Sequence, residues 1–346
     1  MPDQPAGARA DAPVAELSGE EAGQDGPEPA RRSLRSTVAR VFGSRAVRWG
    51  FVVATVGIGA YAIARDWSGP HGVRADLSEL GAGSVIGAMI CVLVALVALM
   101  QIYRVLLAAL GSPLPARVAA QILFVGQLGK YLPGSVWPVL AQMELGTAHK
   151  VPRHRSASAS VLTMLLSLVT GILVGLVALP FSKHAAHYRW VFLAAPVILV
   201  FLYPKVLNRI LDRLLRLAKR PPLEEPLSGR AVATALVWGV LSWIFYGLQV
   251  WLLASRLGLS GWSGAMLAIG GFAFAWCAGF LFILAPAGAG IREIVLIALL
   301  GPAITPAGAT AVALVSRVLM TVGDLLSAGL AAWFARRSRP VAAPEP

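Results

Sequence analysis

The segment GKYLPGSVWPVLAQMELG, residues 129–146, interrupts an otherwise apolar region with one lysine, two prolines and three glycines. A helix that crosses a bilayer is disrupted by Pro-Gly near its middle, and an ammonium group is costly in hydrocarbon. We therefore interpret this segment as a helix that is meant to break. We predict that the break is the working site of the protein.

The composition around this segment is that of a membrane protein. Of the 346 residues, 57% are hydrophobic and only 14% are charged. A soluble domain of this length needs more charge to cover its surface. The net charge of +13 is concentrated in short segments between apolar runs. This pattern suits membrane orientation better than nucleic-acid binding.

Six apolar runs are candidates for full spans, each of which needs roughly 20 residues. They cover residues 48–65, 84–110, 157–181, 189–204, 231–254 and 309–335. Two further stretches, 117–148 and 264–300, are interrupted near their centres by Pro and Gly, and we name them the first and second broken stretches. The predicted fold class is all-α, a polytopic transmembrane helical bundle with six full spans and two broken segments that re-enter or cross as pairs.

Charge and composition divide the chain further. We predict a disordered acidic tail rich in Pro, Ala and Gly (1–30), a basic juxtamembrane segment (31–48), one membrane domain (49–335, with halves 49–181 and 189–335) and a second tail (336–346). Lys and Arg are concentrated in 31–48, 150–155, 204–222 and 335–339. The positive-inside rule therefore predicts that these segments and both termini are cytoplasmic.

The two broken stretches share a sequence frame. Gly126 and Pro133 recur as Gly279 and Pro286, a shift of 153 residues. The predicted topology gives the two halves opposite orientations, and inverted repeats with breaks at matching positions point to the midplane site of a transporter. We predict such a repeat, with chance similarity among apolar helices as the alternative.

Each break leaves backbone N–H groups at the start of the following half-helix, where partial positive charge attracts anions. Lys130 precedes the first break and Arg292 follows the second, so pseudo-symmetry would bring two cations together in a site for a phosphate-bearing headgroup. A lysine that extends to the interface is the alternative for Lys130. The candidate substrate-binding residues are Lys130, Tyr131, Pro133, Gly134, Ser135, Trp137, Pro286, Gly288, Gly290, Arg292 and Glu293.

Other charges occur inside or beside the predicted spans. Arg317 and Asp324 are seven residues apart on one face of the last span, and we expect both to pair with the second broken stretch. A role in catalysis or in a proton relay is the alternative. Because Arg292 and Glu293 are adjacent, we expect each to have a separate partner.

A basic amphipathic helix is predicted for VLNRILDRLLRLAKR, residues 206–220. Its apolar residues recur at helical spacing, which favours a helix that lies on the cytoplasmic leaflet and gathers anionic lipid. An ordinary positive-inside loop is the alternative. The cations that would contact lipid are Arg209, Arg213, Arg216, Lys219 and Arg220.

The motifs GKYLPGSVW (129–137), followed by ELG, and PAGAGIRE (286–293) resemble the two signatures of the lysylphosphatidylglycerol synthase transmembrane-region family. This family is the flippase-like module of bacterial multiple peptide resistance proteins. The resemblance covers about residues 45–335 and implies a polytopic protein of the bacterial plasma membrane that moves, or helps to move, a lipid between leaflets. One departure is QMELGTAHK, where family members often carry an arginine. The implied motif residues are Lys130, Tyr131, Pro133, Gly134, Trp137, Arg292 and Glu293.

The leading function is a lipid translocase for an anionic or phosphate-bearing lipid. The alternatives are an enzyme or accessory subunit of envelope glycolipid or phospholipid modification, with a separate lipid-modifying enzyme as partner, and a scaffold without substrate. The sequence contains no evident nucleophile–base pair, metal cluster or nucleotide-binding loop, so we expect no cofactor and no metal. The resemblance implies an aminoacyltransferase domain in bifunctional relatives. Because this sequence ends at Pro346, we expect no lysyl transfer by this polypeptide.

Overall fold

The computed structural model describes residues 73–132, 136–183, 209, 213, 227–282 and 286–337, and within these ranges it is helical without strands. The α-helices in these ranges are α1 (Val73–Glu79), α2 (Gly81–Ala109), α3 (Ala116–Ala120), α4 (Trp137–Thr147), α5 (Arg153–Ala178), α6 (Gly229–Ala254), α7 (Gly261–Leu281), α8 (Ile291–Leu300) and α9 (Pro306–Arg337). A π-helical turn (Gln121–Val125) and a 3-10 turn (Leu128–Tyr131) prolong α3, and another 3-10 turn (Pro286–Gly288) precedes α8.

Five helices of the described ranges are long and apolar enough to cross a membrane: Gly81–Ala109, Arg153–Phe181, Gly229–Leu257, Gly261–Leu281 and Pro306–Arg337. Four of them coincide with predicted full spans. The predicted spans 48–65 and 189–204 lie outside the described residues. The fifth helix, α7, is the first half of the second broken stretch, and its 21 residues extend about 32 Å, enough to cross alone. The count of six spans and two broken segments therefore stays a prediction.

The second halves of both broken stretches are short. Helix α4 has 11 residues and α8 has 10, so they extend only about 15–17 Å, roughly half of the hydrocarbon thickness. The first halves differ, because the α3 segment ends at Tyr131 after 16 residues whereas α7 has 21. Equivalence of the two halves as an inverted repeat stays a prediction.

Helix α6 is central to the bundle and packs against α2, α5, α7 and α9. Small residues allow these contacts, as expected where helices associate in lipid without a hydrophobic driving force. A Cβ at Gly247 would overlap the Cα of Ile269 on α7. Ser228 caps the N-terminus of α6, and its hydroxyl oxygen accepts a hydrogen bond from the Ala231 N–H at 3.2 Å.

In each broken stretch the chain turns back on itself past a glycine. A Cβ at Gly126 would collide with the Gln142 side chain on α4, and one at Gly279 would lie 3.3 Å from the Cα of Gly288. These are the two glycines that the 153-residue shift aligns. Glycine at both positions lets the half-helix before each break lie directly against the segment that follows.

Candidate functional site

The two breaks meet inside the bundle. The turn Leu128–Tyr131 of the first broken stretch packs against the turn Pro286–Gly288 of the second, and it also contacts α9. Pro133, Gly134 and Ser135 lie outside the described residues. The structure therefore brings the Lys130 side of the first break next to the second break.

The second break is made by residues with left-handed backbone conformations. Ala287 has φ 51°, Gly288 has φ 67° and Gly290 has φ 85°. The Ala287 carbonyl, which has left the helical pattern, accepts a hydrogen bond from Arg317 Nη1 at 3.0 Å. Irregular backbone at membrane depth needs such a partner within the protein. Arg317 thus lies against the second broken stretch.

Glu293 caps the half-helix that follows this break. Its Oε2 atom accepts a hydrogen bond from the Gly290 N–H at 2.6 Å, and a carboxylate in the first turn complements the helix dipole. Part of the helix N-terminus that was predicted to attract an anion is therefore occupied by the chain's own carboxylate.

Asp324 contacts the first broken stretch, and not the second as we had expected. Its Oδ2 atom lies 2.7 Å from Lys130 Nζ and accepts a hydrogen bond from the Tyr131 hydroxyl at 2.6 Å. The reason is the separation of the two residues along α9, because Asp324 lies two turns, about 10 Å, beyond Arg317. One helix face therefore reaches both breaks.

Arg292 and Glu293 also differ from expectation, because their side chains contact each other although they are adjacent. Arg292 Nη2 lies 3.4 Å from Glu293 Oε1, and Arg317 Nη1 lies 3.4 Å from the same oxygen. Arg292 is only 6% exposed, and its guanidinium group also lies 3.4 Å from Met320 Sδ and 5.7 Å from the centre of the Phe272 ring. Two guanidinium groups thus share one carboxylate oxygen at long distance.

A cavity of about 330 Å³ adjoins these charges. Six residues singled out from the sequence line it: Lys130, Tyr131, Gly288, Arg292, Arg317 and Asp324. Gly290, the residue before α8, and Glu293 in its first turn do not line the cavity. Trp137, the first residue of α4, is 45% exposed and does not line the cavity, and Pro286 contributes to the turn before α8.

Aromatic side chains form another part of the cavity wall. Trp276 stacks on Phe280 with ring centroids 5.1 Å apart, and Trp243 meets Trp276 edge-on at 5.1 Å. Trp243 is fixed by a hydrogen bond from its Nε1 to Thr170 Oγ1 at 3.0 Å. These residues were not predicted as part of the site, because the sequence does not distinguish an aromatic residue that lines a cavity from one that packs between helices.

Neutral polar residues of α4 and α5 also line the cavity, and they were also missed: Gln142, Ser160, Thr163 and Ser167. Ser160 donates to the Gln142 side-chain oxygen and to the Ser156 carbonyl, the latter at 2.8 Å. The signal was present in the spacing of Ser and Thr along α5, which recur every three or four residues from 156 to 170 on one face.

The predicted lipid-gathering helix is described at two positions. Arg209 and Arg213 are helical and exposed. Residues four apart lie on the same side of a helix, so this agrees with a shared polar face. Arg216, Lys219 and Arg220 lie outside the described residues, so the amphipathic helix and its lipid contacts stay a prediction.

Most of the chain matches the model of a known protein family. Residues 39–328 match the family model described as lysylphosphatidylglycerol synthase TM region. No curated protein matches the chain. The matched range contains both breaks, the charged cluster and every residue that lines the cavity.

Proposed function

Because the chain belongs to the lysylphosphatidylglycerol synthase TM region family, we propose that it is a flippase-like lipid translocase. The family and the five candidate spans make the chain a multi-pass membrane protein of lipid-related function. In the proposed mechanism, the cavity between the two breaks takes up the anionic or phosphate-bearing headgroup of a lipid near the bilayer midplane.

The observation that carries the proposal is the Glu293 carboxylate, which two guanidinium groups contact only at long distance. Charge-assisted hydrogen bonds from a guanidinium to a carboxylate are normally about 2.7–2.9 Å long. The 3.4 Å distances from Glu293 to Arg292 and Arg317 are well beyond this, and Glu293 is engaged by the Gly290 N–H as well. The described cluster holds three cations against two carboxylates. Its excess positive charge favours an anionic ligand.

The depth of these charges supports a functional role. Asp324 lies close to the midpoint of α9, and Arg292 is buried on a half-helix that does not reach across the bilayer. Charged groups at this depth are expensive, and an ionisable residue inside a membrane span is by default a candidate for a functional site. Guanidinium groups are suited to bidentate phosphate binding.

The shape of the cavity fits a headgroup and leaves the acyl chains in the bilayer. A volume of about 330 Å³ is at the lower end for sites that enclose a whole ligand. Trp276 and Phe280 would pack against the glycerol backbone and the first methylene groups. The proposal includes a bacterial plasma-membrane location with both termini cytoplasmic, and anionic lipid gathered by the helix that contains Arg209 and Arg213.

The test is transbilayer movement of fluorescent lipids in liposomes that contain the purified protein. We expect faster movement of lipids with an anionic headgroup than of lipids with a zwitterionic one. In the Lys130→Gln/Arg292→Gln variant, losing two charge-assisted hydrogen bonds should slow the movement by at least about tenfold. Arg153→Gln is the matched control, because its ion pair with Glu144 at 2.8 Å is exposed and neither residue lines the cavity.

Two results would count against the proposal. Equal acceleration in the wild type and in a correctly folded double variant would place lipid movement elsewhere on the protein. Absence of both movement and headgroup binding would favour a scaffold whose buried charges pair only with each other.

A further inference from the structure

Among the described residues that line the cavity, a single one is a carboxylic acid. Asp324 belongs to the lining, whereas Glu293, the other acid of the charged cluster, does not. The other ionisable residues of the lining are Lys130, Tyr131, Tyr246, Arg292 and Arg317. Lysine, arginine and tyrosine side chains already carry their protons at neutral pH. Asp324 is therefore the group of this lining that is able to take up a further proton.

The remaining neighbours of α9 add no ionisable group to this set. Helices α1, α2 and α3 and the π-helical turn also pack against α9. Their described ionisable side chains do not line the cavity: Asp76, Glu79, Cys91, Tyr103, Arg104 and Arg117. The charge state of Asp324 therefore depends mainly on the residues that share the cavity with it.

Lys130 is the cation that Asp324 would share with a ligand. Its Nζ atom lies 2.7 Å from Asp324 Oδ2, and the Tyr131 hydroxyl donates to the same oxygen at 2.6 Å. The Lys130 side chain is 29% exposed, so an anion in the cavity is able to reach it, whereas the Asp324 side chain is only 5% exposed. An anion bound to Lys130 thus places a second negative charge beside the same ammonium group.

Two anions that share one ammonium group repel each other, and the repulsion is strong where water is scarce. Both burial and a nearby like charge disfavour the ionised form of a carboxyl group. A carboxylate in this position is neutralised when it takes up a proton from water in the cavity. The ligand then supplies the negative charge that the carboxylate has lost, and the net charge of the site stays the same.

We propose that Asp324 is a proton-binding site coupled to the ligand site, so that binding of an anionic headgroup at Lys130 is accompanied by uptake of a proton at Asp324. This inference rests on the proposed function, because it takes Lys130 to bind the headgroup. The proton forms an O–H bond with a carboxylate oxygen of Asp324, and no other bond changes. Because the headgroup and the proton together add no net charge, the membrane potential neither drives nor opposes their joint movement.

The test is isothermal titration calorimetry of the purified full-length protein in detergent. The probe is short-chain phosphatidylglycerol, whose phosphodiester keeps its negative charge around neutral pH. The binding enthalpy is measured in buffers with different enthalpies of ionisation, and the slope of this dependence counts the protons taken up. We expect about one proton for each lipid bound, and an affinity that falls by up to about tenfold for each unit by which the pH is raised.

Variants of Asp324 assign the proton to this residue. Asp324→Asn resembles the protonated carboxyl group in shape but cannot take up a proton, so it should bind phosphatidylglycerol without proton uptake and with little dependence on pH. Asp324→Glu keeps a carboxyl group and should retain the uptake. The matched control is Glu144→Gln, which removes an exposed carboxylate that pairs with Arg153 at 2.8 Å and does not line the cavity. It should leave the proton count unchanged.

The outcomes separate this inference from the proposed function. Binding of phosphatidylglycerol by the wild type without proton uptake overturns the proton site and leaves translocation standing, whether or not Asp324→Asn folds. Uptake that persists in folded Asp324→Asn also overturns the proton site, because another group then binds the proton. Proton-linked binding without lipid movement in liposomes supports the proton site and overturns translocation. Absence of phosphatidylglycerol binding overturns both.

Discussion

Asp324 shows how strongly single residues are coupled in this site. It is 5% exposed, and its carboxylate is engaged by Lys130 and Tyr131 from the first broken stretch. Removing one partner of a buried ion pair leaves an uncompensated charge, which costs more than the pair itself contributes. We therefore expect the three residues to behave as a unit and not as independent contacts.

A double-mutant cycle tests this coupling. Asp324→Asn and Lys130→Met should each lower the free energy of unfolding by about 2 kcal/mol, because a buried or half-buried charged group loses its partner. The double variant should lose much less than the sum, since neither charge is then left alone. The measurement is denaturant unfolding of the purified protein in detergent micelles.

The surface pair Glu144–Arg153 is the control for the cycle. Both side chains are more than half exposed although their atoms lie 2.8 Å apart, so their coupling energy should be below about 1 kcal/mol. If Lys130 and Asp324 are as additive as this pair, the ion pair is not a structural element of the site.

At the scale of elements, the crossing of α6 and α7 positions the cavity wall. Helix α6 provides Trp243 and α7 provides Trp276, and both line the cavity. The two helices approach closely where Gly247 meets Ile269. In lipid this contact is maintained by packing alone, so any added atom at the crossing separates the helices.

Gly247→Ala tests the crossing. The added methyl group would overlap the backbone of α7, so we expect a loss of about 1–3 kcal/mol in unfolding free energy and a lower Tm. The measurement is thermal unfolding in detergent, and lipid movement in liposomes reports the effect on the cavity. The matched control is Gly329→Ala, where no atom lies within 4 Å and alanine is the better helix former, so stability should be unchanged or slightly higher. Equal Tm values for the two variants would contradict the claim that close packing of Gly247 against α7 stabilises the protein.

At the scale of the whole molecule, orientation depends on a predicted span outside the described residues. Between Ala148 and Ser260 the chain passes through α5 and α6, and the predicted span 189–204 lies between them. With three crossings the two residues lie on opposite sides of the membrane, and with two they lie on the same side.

Single cysteines at the exposed positions Ala148 and Ser260 decide between these topologies. In a Cys91→Ala/Cys277→Ala background we expect Ser260→Cys to react with a membrane-impermeant thiol reagent in intact cells, and Ala148→Cys to react only after lysis. The expectation follows from the cations around 150–155, which predict a cytoplasmic loop. Reaction of both cysteines from the same side would show that residues 189–204 do not cross the membrane. Reaction of only Ala148→Cys in intact cells would show that the orientation is opposite to the predicted one.

Much of the architecture was predictable because it depends on local properties of the chain. The helices α2, α5, α6 and α9 coincide with predicted spans, since length and apolar composition are sufficient to recognise a span. The second break was predictable from PAGAG, because Gly288 and Gly290 adopt backbone conformations that other residues avoid. The charged candidates Lys130 and Arg292 were recognisable because cations are rare in apolar segments.

Only the tertiary structure decided which of these residues meet. Tyr131 and Asp324 are 193 residues apart in sequence, and Asp324 was expected at the other break. Periodicity identifies the face of a helix, but the rotation and tilt of each helix are set by packing against its neighbours. Ser167 illustrates the same limit: its side of α5 can be read from the spacing of Ser and Thr, whereas its place in the cavity lining required the positions of the surrounding helices. The sequence thus determined four of the spans, the second break and the charged candidates, while interhelical packing decided which of these residues meet.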